Sequence, residues 1–224
     1  YVICAACAAI PAGSHAAALD GISNPEAVAG LKEALGRGAQ AAVQQLGIEN
    51  GFFGNDKVRI PMPEALQKAE GLMRRFGMGK QADELILRMN RAAEAAVPEA
   101  RALLVSAIKQ MSVQDAKAVL TGGDDAATQY FRRTTSEPLT QRFLPIVKKA
   151  TARVKLAEQY NAFAQTGVRF GLVSREDANL EDYVTRKTLD GLFLVIAEEE
   201  KKIRADPMRA ASSVIRRVFG SLGR

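Results

Sequence analysis

The chain has 224 residues and a net charge of +6, and 47% of its residues are hydrophobic while only 6% are aromatic. A chain of this length can form one domain with a substantial core. Alanine recurs in blocks such as RAAEAAVPEARALL, whereas the β-branched and aromatic runs typical of strands are nearly absent. This composition argues against a mainly β-sheet protein and predicts an all-α fold.

The N-terminal stretch, YVICAACAAIPAGSHAAALD, contains no charged residue before Asp20. Residues 2–10 form an apolar run that is too short to span a bilayer, and small residues at Ser14 and Ala16 follow it. This order is typical of the h-region and c-region of a secretory signal. We therefore expect residues 1–16 to be a signal remnant, residues 17–224 to form a single helical domain, and the protein to be periplasmic or secreted. The alternative is a buried N-terminal helix.

Both cysteines, Cys4 and Cys7, and the only histidine, His15, lie in this segment, and the chain has no Trp. A processed chain would therefore lack the Cys and His ligands of zinc sites and the residues of Cys nucleophiles and His-based triads. The C-x-x-C spacing of Cys4 and Cys7 has no second pair to complete a metal site. We predict no metal, no cofactor and no enzymatic activity.

Helix signals follow one another along the rest of the chain. Caps, prolines at first helical positions and apolar residues at helical spacing predict a single-domain multi-helix bundle of about eight helices. Asn179 caps the helix with the most uniformly apolar middle, which we place at the centre of the bundle. The segment GIENGFFGNDKVRIPMP lacks helical periodicity and predicts a long loop at 47–62. The predicted helices are 25–46, 63–76, 80–96, 98–111, 112–122, 124–135, 137–165 with a bend at Pro145, and 180–204.

The stretch LTGGDDAATQYFRRTTSEPL at 120–139 is the densest cluster of polar signals. Gly122 fits the left-handed residue just past a helix, Asp124 fits an N-cap, and Asp125 complements the positive end of the next helix. This interpretation as a helix boundary needs no ligand. The alternative is a ligand site or a carboxylate-based active site, with the candidate residues Asp124, Asp125, Tyr130, Arg132 and Arg133.

Several long phrases carry a resemblance to a known family: LTGGDDAATQYFRRTT, RIPMPEALQKAE, NRAAEAAVPEA, FLPIVKKATARV and LDGLFLVIAEEEKKIR. Together they resemble a bacterial exported family catalogued as domain of unknown function four-one-nine-seven. The resemblance covers nearly all of the chain from Ala18 to Phe219. It implies an all-helical exported protein with no assigned activity, and it transfers no catalytic residue.

Two segments are candidates for contact with a partner. Phe52 and Phe53 lie between glycines in the predicted loop, where they either cover one end of the bundle or, if exposed, anchor a partner or a membrane. The second candidate is a basic, amphipathic C-terminal helix at 207–222, with Arg209, Arg216 and Arg217 outside its apolar stripe. The alternative is a final helix that docks on the bundle and shows its arginines to water.

The positive charge is concentrated at this C-terminal end. Residues 201–224 contain seven Lys/Arg and one acid, which equals the whole net charge of +6. Such a segment suits an acidic protein or an anionic membrane surface, and nucleic acid is less favoured because no basic loop carries interleaved aromatics.

These features favour an exported, non-enzymatic protein that binds a partner. The alternatives are a carrier with an internal cavity for a lipid-like ligand and a carboxylate-based enzyme that uses residues 122–133. The oligomeric state does not follow from the sequence.

Overall fold

The structure, a computed structural model, describes residues 24–64, 66–67, 74–77, 79–152, 154–169, 173–174 and 177–206. These residues contain no strand, and they form seven α-helices with one 3₁₀ turn at Val97–Glu99. The helices are α1 (Asn24–Leu46), α2 (Gly79–Ala96), α3 (Ala100–Gln110), α4 (Val113–Thr121), α5 (Ala126–Thr151), α6 (Lys155–Arg169) and α7 (Leu180–Ala205).

The all-α prediction is confirmed, and the helix count is close to the expected one. Of the helix predicted at 63–76, the described residues 64, 66–67 and 74–75 are helical. The expected signal remnant at 1–16 and the basic helix at 207–222 lie outside the described residues.

The two longest helices, α5 and α7, pack against each other at the centre of the bundle, with α2 against α5 and α1 against α7. In the middle of α7, Leu192, Phe193 and Val195 are almost completely buried, which confirms its predicted central position. Phe131 and Phe143 of α5 fill the same core. None of the described helices is both long enough and apolar enough to span a bilayer.

Helix α5 corrects two of the predicted boundaries. One helix runs through both Pro138 and Pro145 and ends at Thr151, whereas we predicted separate helices at 124–135 and 137–165. Both prolines are exposed, so the hydrogen bonds that they remove from the helix lie on the side facing water. The opposite face is buried at every fourth position, and this continuous packing keeps the helix intact: Phe131, Thr135, Leu139, Phe143, Val147 and Thr151.

Two of the predicted helix starts are confirmed in atomic detail. At α4, the amide of Asp115 donates to Ser112 Oγ (3.0 Å), and the amide of Ser112 donates back to the Asp115 carboxylate (3.2 Å), which forms a complete capping box. The hydrogen bond from the Ser112 hydroxyl lowers the pKa of Asp115. At α7, the amide of Asp182 donates to Asn179 Oδ1 (3.0 Å).

The connection from α1 to Pro63 contains no helix, as predicted, but it is packed against the bundle as firmly as a core element. Its residues Phe52, Ile60 and Met62 are almost completely buried. Asn50 has a positive φ of 65°, a conformation that asparagine tolerates better than most residues, and it turns the chain back over the bundle. We call residues 47–62 the strap.

Candidate functional site

The junction between α4 and α5 holds the glycine and aspartate residues that the sequence singled out. Gly122 has φ −81° and ψ 178°, so the prediction of a left-handed residue is wrong. A glycine is needed here for a different reason: a Cβ at this position would lie 2.6 Å from Ala126 Cβ and 2.7 Å from the carbonyl oxygen of Ala118. The turn between the two helices is therefore too tight for a side chain.

Asp124 does not cap α5 as expected. Asp125, not Asp124, occupies the N-cap position, and its side chain makes no capping hydrogen bond. The Asp125 carboxylate instead accepts a hydrogen bond from Gln129 Nε2 (3.0 Å). Both aspartates are exposed, so the prediction of an Asp124 cap is wrong.

A carboxylate from a distant part of the chain caps α5 instead. Glu200 of α7 accepts hydrogen bonds from the amides of Ala127 (3.0 Å) and Thr128 (2.9 Å) and from the Thr128 hydroxyl (2.9 Å). A negative charge at this end of a helix is stabilised by the free amides and by the helix dipole. The side chain of Arg204 neutralises Glu200 with a contact of 2.8 Å and also donates to the carbonyl of Val119.

Sequence reasoning missed Glu200, although one signal pointed to it. It lies four residues after Ile196 and therefore continues the apolar stripe of α7, where it is only 7% exposed. A carboxylate on a core-facing stripe, followed by an arginine four residues later, indicates a buried ion pair with a structural task.

Of the three other candidates, Tyr130 and Arg133 contact each other, with the Arg133 guanidinium 5.5 Å from the ring centre of Tyr130. The Tyr130 hydroxyl donates to the carbonyl of Ala107 (2.7 Å), and burial raises the pKa of this tyrosine. Arg133 Nη2 donates to Asp115 (3.1 Å).

Arg132 lies 4.8 Å above the ring of Phe193 and 3.6 Å from Asp190. Tyr130 and Arg133 therefore lie together near Asp115, and Arg132 contacts α7 instead. The contacts of these three side chains do not include Asp124 or Asp125.

A second buried carboxylate, Glu94 of α2, fastens the strap. It accepts hydrogen bonds from the amides of Phe52 and Phe53, both at 3.0 Å, and pairs with Arg91 at 2.5 Å. Asn90, about one helical turn before Glu94, accepts from the amide of Ile60 (2.8 Å) and donates to its carbonyl (2.9 Å). Two polar side chains of α2 thus satisfy backbone groups of the strap that would otherwise be buried without partners.

The two strap phenylalanines have different environments. Phe52 is 0% exposed and packs against Gly191 of α7, so it lies in the core and not on a contact surface. Phe53 is half-buried, with the guanidinium of Arg59 4.6 Å and that of Arg91 5.8 Å from its ring centre, and such stacking stabilises the strap end. The other predicted contact residues, Arg209, Arg216 and Arg217, lie outside the described residues.

The comparison with known families identifies the chain at the level of its family. The family described as Protein of unknown function (DUF4197) matches residues 21–220. The chain belongs to the DUF4197 family. No curated protein and no solved structure matches it.

The cavities of this DUF4197 chain also bear on the carrier hypothesis. A cleft between α1 and α7 has a volume of about 20 Å³, which is enough for about one water molecule and far too small for a lipid. Its lining is mainly apolar and includes Leu31, Leu35, Phe131, Ile196 and Ile203, with Glu200 and Arg204 at one side. This cleft does not provide the predicted lipid cavity.

The placement of His, Cys, Asp and Glu side chains in this DUF4197 chain decides whether it could hold a metal ion. Within the described ranges, no group of three or more His, Cys, Asp or Glu side chains is placed to hold a metal ion. Both cysteines and the histidine lie before residue 24.

Proposed function

We propose that this protein is an exported, non-enzymatic interaction protein. Its basic C-terminal segment at 207–222 would contact an acidic protein or an anionic membrane surface. The proposal rests on where the described polar residues are used and on where the positive charge is left.

The placement of the candidate catalytic residues supports a non-enzymatic role. Tyr130, Arg132 and Arg133 are each occupied by a structural contact, and Asp125 is bonded only to its own helix. General acid–base chemistry requires such groups to reach one reacting atom at hydrogen-bond distance. Arg133 lies over the ring of Tyr130, but Asp125 and Arg132 have other partners. The buried carboxylates Glu94 and Glu200 are likewise saturated by backbone amides and arginines.

The end of α7 supports a contact role for the segment that follows it, and this observation carries the proposal. Lys201, Lys202 and Ala205 are exposed, as is Asp206, where the described part of the chain ends. The chain therefore leaves α7 at the surface, with Lys201 beside the exit and Lys202 paired with Glu199 at 2.6 Å. Arg209, Arg216 and Arg217 extend the same positive charge in the sequence.

Vesicle binding tests this proposal directly. The chain should sediment with vesicles of phosphatidylglycerol and phosphatidylcholine, and binding should weaken with salt because the attraction is electrostatic. The double variant Arg216→Glu/Arg217→Glu should lose this binding, since each basic residue near an anionic surface contributes about 1 kcal/mol. A double reversal of two exposed cations elsewhere, Arg101→Glu/Lys117→Glu, is the matched control. Equal binding by both double variants would refute the C-terminal contact.

An acidic protein partner would give a different result. Binding to vesicles would then be weak for every variant, while an acidic polypeptide such as polyglutamate would be retained by the parent chain and lost by Arg216→Glu/Arg217→Glu. Circular dichroism of each variant shows whether the helices persist.

Export is tested separately. Mass spectrometry of the native protein isolated from its cells should give a mature N-terminus at Ala17, because the signal would be cleaved after Ala16. A chain that retains residues 1–16 in the cytoplasm would contradict this part of the proposal.

A further inference from the structure

A groove lies between α2 and the C-terminal half of α5, on a part of the bundle that the proposed function does not use. It is open to solvent and has a volume of about 580 Å³, which is within the range of about 300–1,000 Å³ that is typical of binding clefts. Its lining consists of Glu84, Arg88, Ala95, Ile146, Lys149, Ala150 and Val154.

The groove has an apolar centre. Ile146 and Ala150 are half-buried and Val154 is buried. The α2 side contributes the exposed Ala95, a small side chain that leaves room between the two helices. An apolar strip of this kind can accept the non-polar side chains of a second segment.

The side chains on α5 beside this strip carry positive charge that no neighbouring acidic side chain among the described residues neutralises. Lys149 lines the groove, and Arg142 lies seven residues earlier, two turns away on the face of α5 that carries Ile146. Both side chains are exposed. Within the part of the chain that the structure describes, neither has an acidic side chain at ion-pair distance. The cation on the other wall, Arg88, already has Glu84 at 3.7 Å.

The position of Arg142 shows that helix stabilisation does not account for this charge. A cation in the last turn of a helix is favoured by the helix dipole, which explains Lys149 because α5 ends at Thr151. Arg142 lies more than two turns before that end and gains nothing from it.

We propose that this groove binds an acidic amphipathic segment of a partner protein. The apolar side chains of that segment lie on Ile146, Ala150 and Val154, and its carboxylates pair with Arg142 and Lys149. The proposal goes beyond the C-terminal contact because it uses a different surface.

The concave shape and the apolar centre determine the class of partner. A bilayer surface is too flat to reach the bottom of a groove between two helices, and a polyanion without apolar side chains would leave the central strip uncovered. A helix or an extended peptide can reach the bottom of the groove and cover the apolar strip, which is how grooves usually recognise amphipathic segments.

The test uses a synthetic, fluorescently labelled peptide with Leu on one helical face and Glu on the other, and a second peptide with Gln in place of every Glu. Fluorescence anisotropy should show that the acidic peptide binds the parent chain. Arg142→Glu/Lys149→Glu should weaken it by about tenfold or more, which corresponds to about 1.4 kcal/mol. The Gln peptide should bind the parent chain weakly as well.

Two controls separate this result from the C-terminal contact. Arg101→Glu/Lys117→Glu makes the same charge change on exposed residues of α3 and α4 and should leave the affinity within about twofold. The variant Arg216→Glu/Arg217→Glu should bind the peptide as the parent does, even where it no longer binds vesicles. The two proposals can therefore fail independently.

Methyl NMR spectra locate the bound peptide. Shifts at Ile146, Ala150 and Val154 on addition of the acidic peptide support the proposal. Shifts confined to other methyl groups, or equal affinity of Arg142→Glu/Lys149→Glu and the parent chain, overturn it. The proposal also fails if anionic vesicles shift these methyl groups and the peptide does not, because the surface would then be a membrane contact.

Discussion

The ring of Phe52 occupies the space in which residue 191 would otherwise carry its Cβ. A Cβ built on Gly191 would lie 2.7 Å from Cε1 and 3.2 Å from Cζ of Phe52, and 3.2 Å from Val58 Cβ. Two non-bonded carbon atoms cannot lie 2.7 Å apart, so a side chain at position 191 would displace the ring of Phe52. The glycine on α7 therefore allows the strap to lie against the bundle.

Substitution of this glycine should destabilise the fold. Alanine at Gly191 gains about 1 kcal/mol of helix propensity, but the buried ring of Phe52 has to move, and overpacking of this kind costs about 1–3 kcal/mol, occasionally more. We expect a net loss for Gly191→Ala and a larger one for Gly191→Val, measured by urea unfolding.

The matched control is Gly36 of α1, where an added Cβ would have no neighbour within 4 Å. Gly36→Ala should stabilise the protein by about 0.5–1 kcal/mol, because only the propensity term changes. Equal effects at the two glycines would show that the close approach to Phe52 has no energetic weight.

Glu200 should matter far more to stability than Asp125, although both lie at the start of α5. Glu200→Gln removes the charge that two amides and Arg204 share, and it leaves a guanidinium with a side chain only 14% exposed beside a neutral amide. We expect a loss of about 3 kcal/mol in the free energy of unfolding.

The same acid-to-amide change at Asp125 should alter the free energy of unfolding by no more than about 0.5 kcal/mol, because the side chain is exposed and makes no capping bond. Chemical denaturation of both variants provides the comparison. A larger effect at Asp125 than at Glu200 would mean that α5 is capped locally after all.

Alkaline pH should unfold the protein as its tyrosines ionise. Burial, with a smaller contribution from the charge of Asp177, raises the pKa of Tyr160 and of Tyr183 to about 12. Unfolded tyrosines titrate near pH 10, so between about pH 10 and pH 12 the unfolded chain binds fewer protons than the folded one. The contribution of these two tyrosines to the free energy of unfolding is therefore constant below this window, and it falls as the pH rises through the window.

Tyrosinate absorbance and circular dichroism, followed together, measure this alkaline transition. Loss of helix should accompany ionisation of Tyr160 and Tyr183. In Tyr183→Phe the loss of stability with pH should be less steep, and the variant should also lack the hydrogen bond from the hydroxyl to the carbonyl of Pro61 (3.0 Å). Ionisation of both residues near pH 10 with the helices intact would contradict the prediction.

Glu94 should control the local opening of the strap. Its replacement by Gln weakens the bonds to the amides of Phe52 and Phe53 and the pair with Arg91, so the strap should open more often than the helices unfold. Trypsin cuts after Lys57 and Arg59, which are both exposed in the strap. We expect cleavage at these two sites to accelerate in Glu94→Gln.

Glu49→Gln is the control for this experiment, because Glu49 also contacts Arg91 (3.0 Å) but is largely exposed and holds no strap amide. Its rate of cleavage should match that of the parent chain. If the two variants are cut at the same rate, the arginine contact and not the amide bonds holds the strap.

The features that could be predicted from the sequence are those that depend on neighbours along the chain. The pair of Ser112 and Asp115 and the cap at Asn179 were predictable because each capping side chain reaches an amide three residues away. The boundary predicted near Pro138 was wrong because the packing of a long buried stripe outweighs the loss of one hydrogen bond on an exposed side. Local propensity contains no information about that stripe's partners.

The candidate site was harder to predict for the same reason. The pattern of Asp124 and Asp125 before an apolar helix is typical of a cap, yet the capping carboxylate is Glu200, which is more than 70 residues away. Nothing in the spacing of the aspartates reveals that α7 brings an acid to this helix end. The burial of Phe52 depends in the same way on a glycine in the last described helix.

The strap has a consequence for the order in which the molecule is assembled. Phe52 meets Gly191, Tyr183 bonds to Pro61, and Lys57 pairs with Glu198, so more than half of the sequence separates the two sides of each contact. A chain that emerges from the ribosome N-terminus first must leave this early aromatic segment in water until the final central helix has been synthesised. Closure of such distant contacts is slow compared with helix formation, and the strap therefore completes its packing only after the rest of the bundle has been made.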